Sequence, residues 1–456
     1  MTEVQELGLW TAQRSFDDLS ESALRELKIR VLDSLACAAG ALDAEPVVSL
    51  HRHTARMGGN ALAPLLGHDE STAPDRAALY NGFLVRYLDY NDSFLAPKET
   101  CHPSDNVAPV LAAASYAETT GRQLLTALAI AYQVQCRLSE EAPVRAQGFD
   151  HTSQGSFAAA AGVAHALGLD AERTAHAIAI SGTAYQAMRV TRTGSLSHWK
   201  GLAYPSVAWT ATHSAFLALD GITGPPEVFE GNKGYKESVA RHDFYIDWSL
   251  EDLEKVTGSI IKKYNAEIHS QSTLEGLLEL KHREQIDPRQ VARIELDTFD
   301  VAYHIIGGGE EGGKKNIRTK EEADHSLPYM MAAALLDDEV KPAQYEPERI
   351  AAEDVQQLLQ RVEVRESPAL SRDFPQAMPV QITVEMNDGS RHQIEKRDYE
   401  GFHTRPAGWD MIEAKFRILA GDRIDANQRK EITEGVKNLE HISVQELQRL
   451  LRAFCH

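Results

Sequence analysis

Ser156-Phe-Ala-Ala-Ala-Ala-Gly-Val-Ala-His-Ala-Leu-Gly-Leu-Asp170 decides the class of this fold. Its alanines carry the highest helix propensity, and Gly168 supplies the left-handed residue that closes a helix. Asp170 stands where it caps the next one. The apolar run Phe157 to Leu169 contains His165 and is too short to span a bilayer, so it predicts a buried helix of a water-soluble bundle. The pattern repeats outward in both directions. Ala23 to Ala39 places Leu24, Leu27, Val31, Leu32 and Leu35 at spacings of three and four. Val107 to Glu118, Gln123 to Arg137, Ala171 to Ile180 and Ser206 to Leu219 read the same way, with Gly121 and Gly221 as further stops. Strand signals are nearly absent over the first ~250 residues.

The period changes after about residue 288. Val291-Ala-Arg-Ile-Glu-Leu-Asp-Thr298 alternates as a strand does, and so does Arg361 to Arg365. Val380 to Met386, the turn Asn387-Asp388-Gly389, and Ser390 to Glu395 predict a hairpin. Helical stretches at Glu321 to Leu336, Ala352 to Leu359 and Gly408 to Leu419 interleave with these strands, and Arg429 to Phe454 is helical again. The expectation is a mainly α protein: a large all-helical domain over 1–265, joined by C-terminal helices at 422–456, and a smaller α+β lid domain over 266–421.

With 456 residues the chain is long enough for two domains, and 47 basic against 67 acidic residues give a net charge of −20. That field repels phosphate backbones and anionic lipid, which argues against nucleic-acid and membrane partners. Four cysteines without a C-x-x-C pair offer neither a zinc ribbon nor an iron–sulfur framework and fit a reducing cytoplasm. The N-terminus lacks the basic and apolar regions of a signal peptide. Gly307 to Gly313 has no strand-to-helix context and no Gly-Lys-Ser/Thr ending, so it reads as a flexible loop.

Polar residues collect in five places. Tyr87 to Ser93 contains Asp89, Asp92 and Ser93, and Cys101 to Asn106 contains His102 and Ser104. Ser104 or Asp105 is placed to cap the helix that follows. No second histidine stands at ligand spacing here, which disfavours a metal site. Gly148 to Gly155 carries His151. Met188 to Gly201 gathers Arg189, Arg192, His198 and Lys200 in an otherwise acidic chain, and carboxylate substrates require such cations. Ile261 to Gln271 carries Lys263 and Tyr264 at the domain junction, and Arg318 to Tyr329 carries His325. For each, turn chemistry or a solvated loop is the competing explanation.

Taken together, Asn81-Gly-Phe to Asp89, His102-Pro-Ser-Asp, Gly148-Phe-Asp-His, His198-Trp-Lys-Gly, Asp220-Gly-Ile-Thr-Gly-Pro225 and Ala323 to Tyr329 resemble the MmgE/PrpD family in order and spacing. The resemblance runs from about Leu27 to Gly421. It implies a helical domain with an α+β lid, usually as a homodimer, and a site without cofactor or metal that handles short polycarboxylates. Dehydratases, decarboxylases and an epimerase share that description. By resemblance Asp89, His102 and His151 are catalytic, and Ser93 stands where the decarboxylases have threonine. Lys200 follows Trp199 and precedes Gly201, a departure from the decarboxylase arrangement. Tyr303 corresponds to a tyrosine of the decarboxylase site. The expected reaction is loss of water from a 3-hydroxy tricarboxylate such as 2-methylcitrate or citrate, with His102 and His151 transferring protons. Asp89 is expected to orient a histidine or to act as base. Lys200, Arg192 and Lys263 are expected to hold carboxylates, with Ser104, Tyr264 and His325 completing the binding set.

Overall fold

A computed structural model describes residues 1–455; His456, at the end of the expected C-terminal helices, lies outside the described residues. The chain divides into two compact units, one of residues 1–191, 201–259 and 408–455, the other of 192–200 and 260–407. The first is built of helices because alanine and glycine faces let them approach closely. Gly121–Glu141 packs on Thr152–Ala166, Pro74–Tyr87 on Val107–Tyr116, and Glu3–Gln13 on Ala171–Ala184. Asp170 accepts the Arg173 amide at 2.8 Å, the cap its position predicts.

Three helix boundaries differ from the expectation. Gly121 opens a helix instead of ending one, and a Cβ there would lie 1.7 Å from the Leu439 carbonyl oxygen. Glu118 takes the left-handed conformation in its place, with φ of 52°. The helix expected from Ser206 runs Trp199–Leu219 and carries Pro205 inside it. The one expected over 321–336 is two, Lys320–Ala323 and Leu327–Asp337, broken where Ser326 accepts the Tyr329 amide at 3.1 Å.

Residues 408–421, expected in the smaller unit, belong to the helical one. Trp409–Ala420 packs on Glu21–Ala41, and buried Lys415 reaches Asp33 at 2.6 Å and the Tyr90 carbonyl at 2.7 Å. The unit also holds two short ribbons that no alternation announces. One pairs Phe94–Ala96 with Glu99–Cys101, Phe94 opposite Cys101.

In the α+β unit a four-stranded sheet runs in the order 362–366, 291–298, 380–386, 391–396, with the first pair parallel and the others antiparallel. The alternation of Arg293-Ile-Glu-Leu296 buries Ile294 and Leu296 and leaves Arg293 and Glu295 on the outer face. Glu295 there meets Arg293, Arg365 and Arg391 at 2.8, 2.7 and 3.2 Å. Ile382 and Ile394 join the inner face beneath Leu274, Leu277 and Met330 of the covering helices. Among the described residues no helix is long and apolar enough to cross a membrane.

Candidate functional site

The Phe94–Cys101 pairing brings the residues just outside it, Ser93 and His102, face to face. Ser93 Oγ lies 3.1 Å from His102 Nδ1, and the Asp92 carbonyl oxygen lies 2.8 Å from the same nitrogen. A carbonyl only accepts, so Nδ1 carries the proton and the basic lone pair of the neutral ring is on Nε2. Asp92 is itself fixed: its carboxylate accepts the Ser104 amide at 3.0 Å and the Tyr132 hydroxyl at 2.9 Å.

His151 stands at the N-terminus of Thr152–Ala166. Its ring stands edge-on to that of His102, with centroids 5.3 Å apart. The turn that carries it is stitched to the chain near 188: the Asp150 amide donates to the Ala187 carbonyl at 2.8 Å and the Arg189 amide to the Gly148 carbonyl at 2.9 Å. Asp150 Oδ1 lies 3.4 Å from His151 Nδ1, and Arg189 lies 3.6 Å from the other oxygen. Both rings are buried, and two imidazoles at this separation are an arrangement that general acid–base chemistry on one small molecule can use.

The Asp92 carbonyl thus stands at His102 Nδ1 and Asp150 beside His151 Nδ1. Asp89 is held by Arg86, whose guanidinium donates to it at 2.6 Å, and it adopts a left-handed φ of 55°, a conformation that costs a non-glycine residue energy. Ser104 does not cap the helix after it. Ser104 Oγ and Asp105 Oδ1 both accept from the Asn91 amide group at 2.9 Å, and the helix starts from Asn106 without a side-chain cap.

In the α+β unit a second buried cluster forms around Asp324. Lys200 Nζ meets its Oδ1 at 2.5 Å and Lys320 its Oδ2 at 2.7 Å, while His325 Nδ1 lies 2.9 Å from Oδ1. Burial pushes this carboxyl up, but the two ammonium groups and His325 outweigh it and hold the group far below the usual carboxylate range. Lys200 is thus ion-paired within the chain, a partner the sequence reading did not assign. Arg192 donates to the Lys200 carbonyl at 3.3 Å. The basic stretch is not one clamp: Arg189 belongs to the helical unit beside Asp150, Arg192 and Lys200 to the α+β unit, and His198 is exposed.

Lys263, expected to hold a carboxylate of the substrate, pairs with Glu275 and Glu400, each at 2.9 Å. Its neighbour Lys262 is the fully buried lysine. Tyr264 is partly buried, and burial raises its phenol to about 12. Tyr303 lines a separate cavity of the same unit. The sequence reading passed over Glu267 and His269, which are buried together at 2.7 Å. Burial pushes the Glu267 carboxyl up, but the His269 imidazole pulls it further down, to about 2. Their spacing of two within a 3₁₀ turn leaves no periodic signal.

Comparison with known proteins shows the family. The family model described as the MmgE/PrpD N-terminal domain matches residues 5–246, and that of the MmgE/PrpD C-terminal domain residues 264–441. The 2-methylcitrate dehydratase of Escherichia coli (strain K12) is 27% identical over 390 residues, which cover 79% of this chain and 78% of that protein. The cis-aconitate decarboxylase of Mus musculus is 24% identical over 462 residues, 95% and 90% of the two chains. An alkylcitrate dehydratase of a fungal species is 26% identical over 436 residues, 86% and 82% of the two. With both of its domain models matched in order along the sequence, this chain belongs to the MmgE/PrpD family.

Proposed function

We propose that this protein is a lyase that removes water from a short hydroxy-polycarboxylate, 2-methylcitrate or citrate, and that it does so without a metal or organic cofactor. The observation that carries the reading is the edge-on pair His102 and His151, the first anchored through Nδ1 and the second with Nδ1 beside the Asp150 carboxylate. One imidazole takes the proton from the carbon beside a carboxylate. The electron pair moves into the new carbon–carbon double bond as the hydroxyl leaves, and the second imidazole, as imidazolium, donates the proton that makes it water. Both rings are nearly buried, so neither transfer competes with bulk solvent. Lys200 and Arg192 are assigned to carboxylate recognition, because Lys200, Lys320 and His325 against the single Asp324 leave that cluster net positive. Names among the relatives point the same way, since two of the three compared are dehydratases of alkyl citrates.

Decarboxylation is the second reading. It is favoured by the mouse cis-aconitate decarboxylase, whose match spans 95% of this chain. The pure protein, dialysed against EDTA, would be incubated in turn with 2-methylcitrate, citrate and cis-aconitate and the products weighed by mass spectrometry. Loss of one water from a hydroxy acid is the expected result. Loss of carbon dioxide from cis-aconitate would select the second reading, and turnover only after a divalent metal is restored would contradict the acid–base account. A homodimeric cytoplasmic enzyme is the assembly this reading carries with it.

A further inference from the structure

The α+β unit contains a cavity of about 680 Å³, large enough for a small metabolite, lined by Tyr303, Gly313, Lys314, Lys315, Pro328 and Arg365 among others. Lys314 is the unusual member. Only 7% of it is exposed. Its backbone is fixed by the Ser326 hydroxyl, which donates to the Lys314 carbonyl at 2.6 Å. Among the described residues its ammonium has no hydrogen-bond or ion-pair partner. Of the carboxylates that act on it, buried Glu311 is foremost but makes no hydrogen bond or ion pair with it, Glu267 is engaged with His269, and Asp324 with Lys200 and Lys320. Burial, with Lys200 adding to it, draws the Lys314 ammonium below the ordinary lysine range.

An ammonium inside a protein without a hydrogen-bonding partner is costly, and cations of this kind are paired or meet a ligand. Lys315 and Arg365 on the same wall are already engaged, Lys315 with the Gln360 carbonyl at 2.9 Å and Arg365 with Glu295 at 2.7 Å. Gly313 adds a second observation. Its φ is not positive and nothing lies within 4 Å of where its Cβ would be, so neither backbone nor packing requires glycine there. The space it leaves open is part of the cavity wall.

We propose that Lys314 and the open wall at Gly313 form an anion-binding site, contained in the α+β unit, for a small molecule bearing a carboxylate or phosphate group. Lysine offers such a group a compact point charge with three donors. The segment 307–313, expected to be a plain flexible loop, is then part of a binding wall. The proposal goes beyond the dehydratase reading, because it concerns an anion that is held and not turned over.

The test is calorimetric titration and thermal melting of the full chain with inorganic phosphate and with tricarballylate, which has no hydroxyl to lose, at constant ionic strength. Lys314→Met is expected to weaken one or both by about 10- to 150-fold, the worth of a charge-assisted hydrogen bond, without lowering the melting temperature of the unliganded protein. Phosphate alone or tricarballylate alone would identify the group recognised. Equal affinity and stoichiometry in wild type and Lys314→Met for both anions would overturn the site. Should Lys314→Met fail to fold, Gly313→Val keeps the ammonium and fills the wall, and wild-type binding of both anions by that variant would overturn it equally.

Discussion

His102 and Asp324 are both buried, and their partners make them opposites. Two of the groups on the His102 imidazole are neutral, a backbone carbonyl and a serine hydroxyl. Asp324 is held by two ammonium groups and an imidazole, and its charge is fixed. The contrast separates two tasks, one in each unit. A group that must gain and lose a proton is positioned by dipoles, whereas a group that must keep an array of cations in place is itself locked in one ionisation state.

The comparison breaks most visibly at Asp324. Asp324→Asn leaves Lys200, Lys320 and His325 without their common counter-charge, and breaking a buried pair in this way costs about 3–5 kcal/mol of stability. Urea unfolding measures it, and a loss below about 1 kcal/mol would show that the cations find other partners.

Glu267 sharpens the same point through pH. Its usual value of 4.5 is lowered to about 2 in the folded chain. A depressed carboxylate contributes stability that is complete above the unfolded value and disappears as pH falls through the folded one. Between pH 4.5 and 2 the protein should therefore lose about 3 kcal/mol through this group, at about 1.4 kcal/mol per pH unit. Glu267→Gln should flatten that part of the stability profile. An unchanged acid limb would mean that Glu267 has no special bond with His269.

The smallest effect belongs to Ser93. Ser93→Ala removes a neutral hydrogen bond worth about 0.5–1.5 kcal/mol while the Asp92 carbonyl still holds His102. The turnover number should fall by less than ~10-fold with KM nearly unchanged. A drop as large as that from removing the histidine itself would make Ser93 a direct participant.

Much of this was legible in the sequence wherever side chains repeat with the period of the backbone. Arg293-Ile-Glu-Leu296 alternates and is a strand; Leu24 to Leu35 recurs at three and four and is a helix. The ribbon that sets Ser93 against His102 has three residues a side, too few to show a period. Lys262 and Lys263 are chemically alike and adjacent, so only the fold says which is buried and which meets Glu275. The division of the basic stretch after Thr191 falls in a single 3₁₀ turn, and the pairing of Lys200 with Asp324 joins residues 124 apart. Contacts of that range leave no local pattern to read.

The central claim is that His102 and His151 move protons at carbon and oxygen. It is tested most directly by running the reaction backwards in D₂O from the unsaturated tricarboxylate and following deuterium at the carbon beside the carboxylate. The wild-type protein should return the hydroxy acid with one deuteron on that carbon. His102→Ala and His151→Ala should each slow that incorporation by at least ~100-fold while melting temperatures stay near the wild-type value, the loss expected for a general acid or base. Incorporation within a few-fold of wild type in either variant, or a loss that only tracks the fraction of folded protein, would contradict the account.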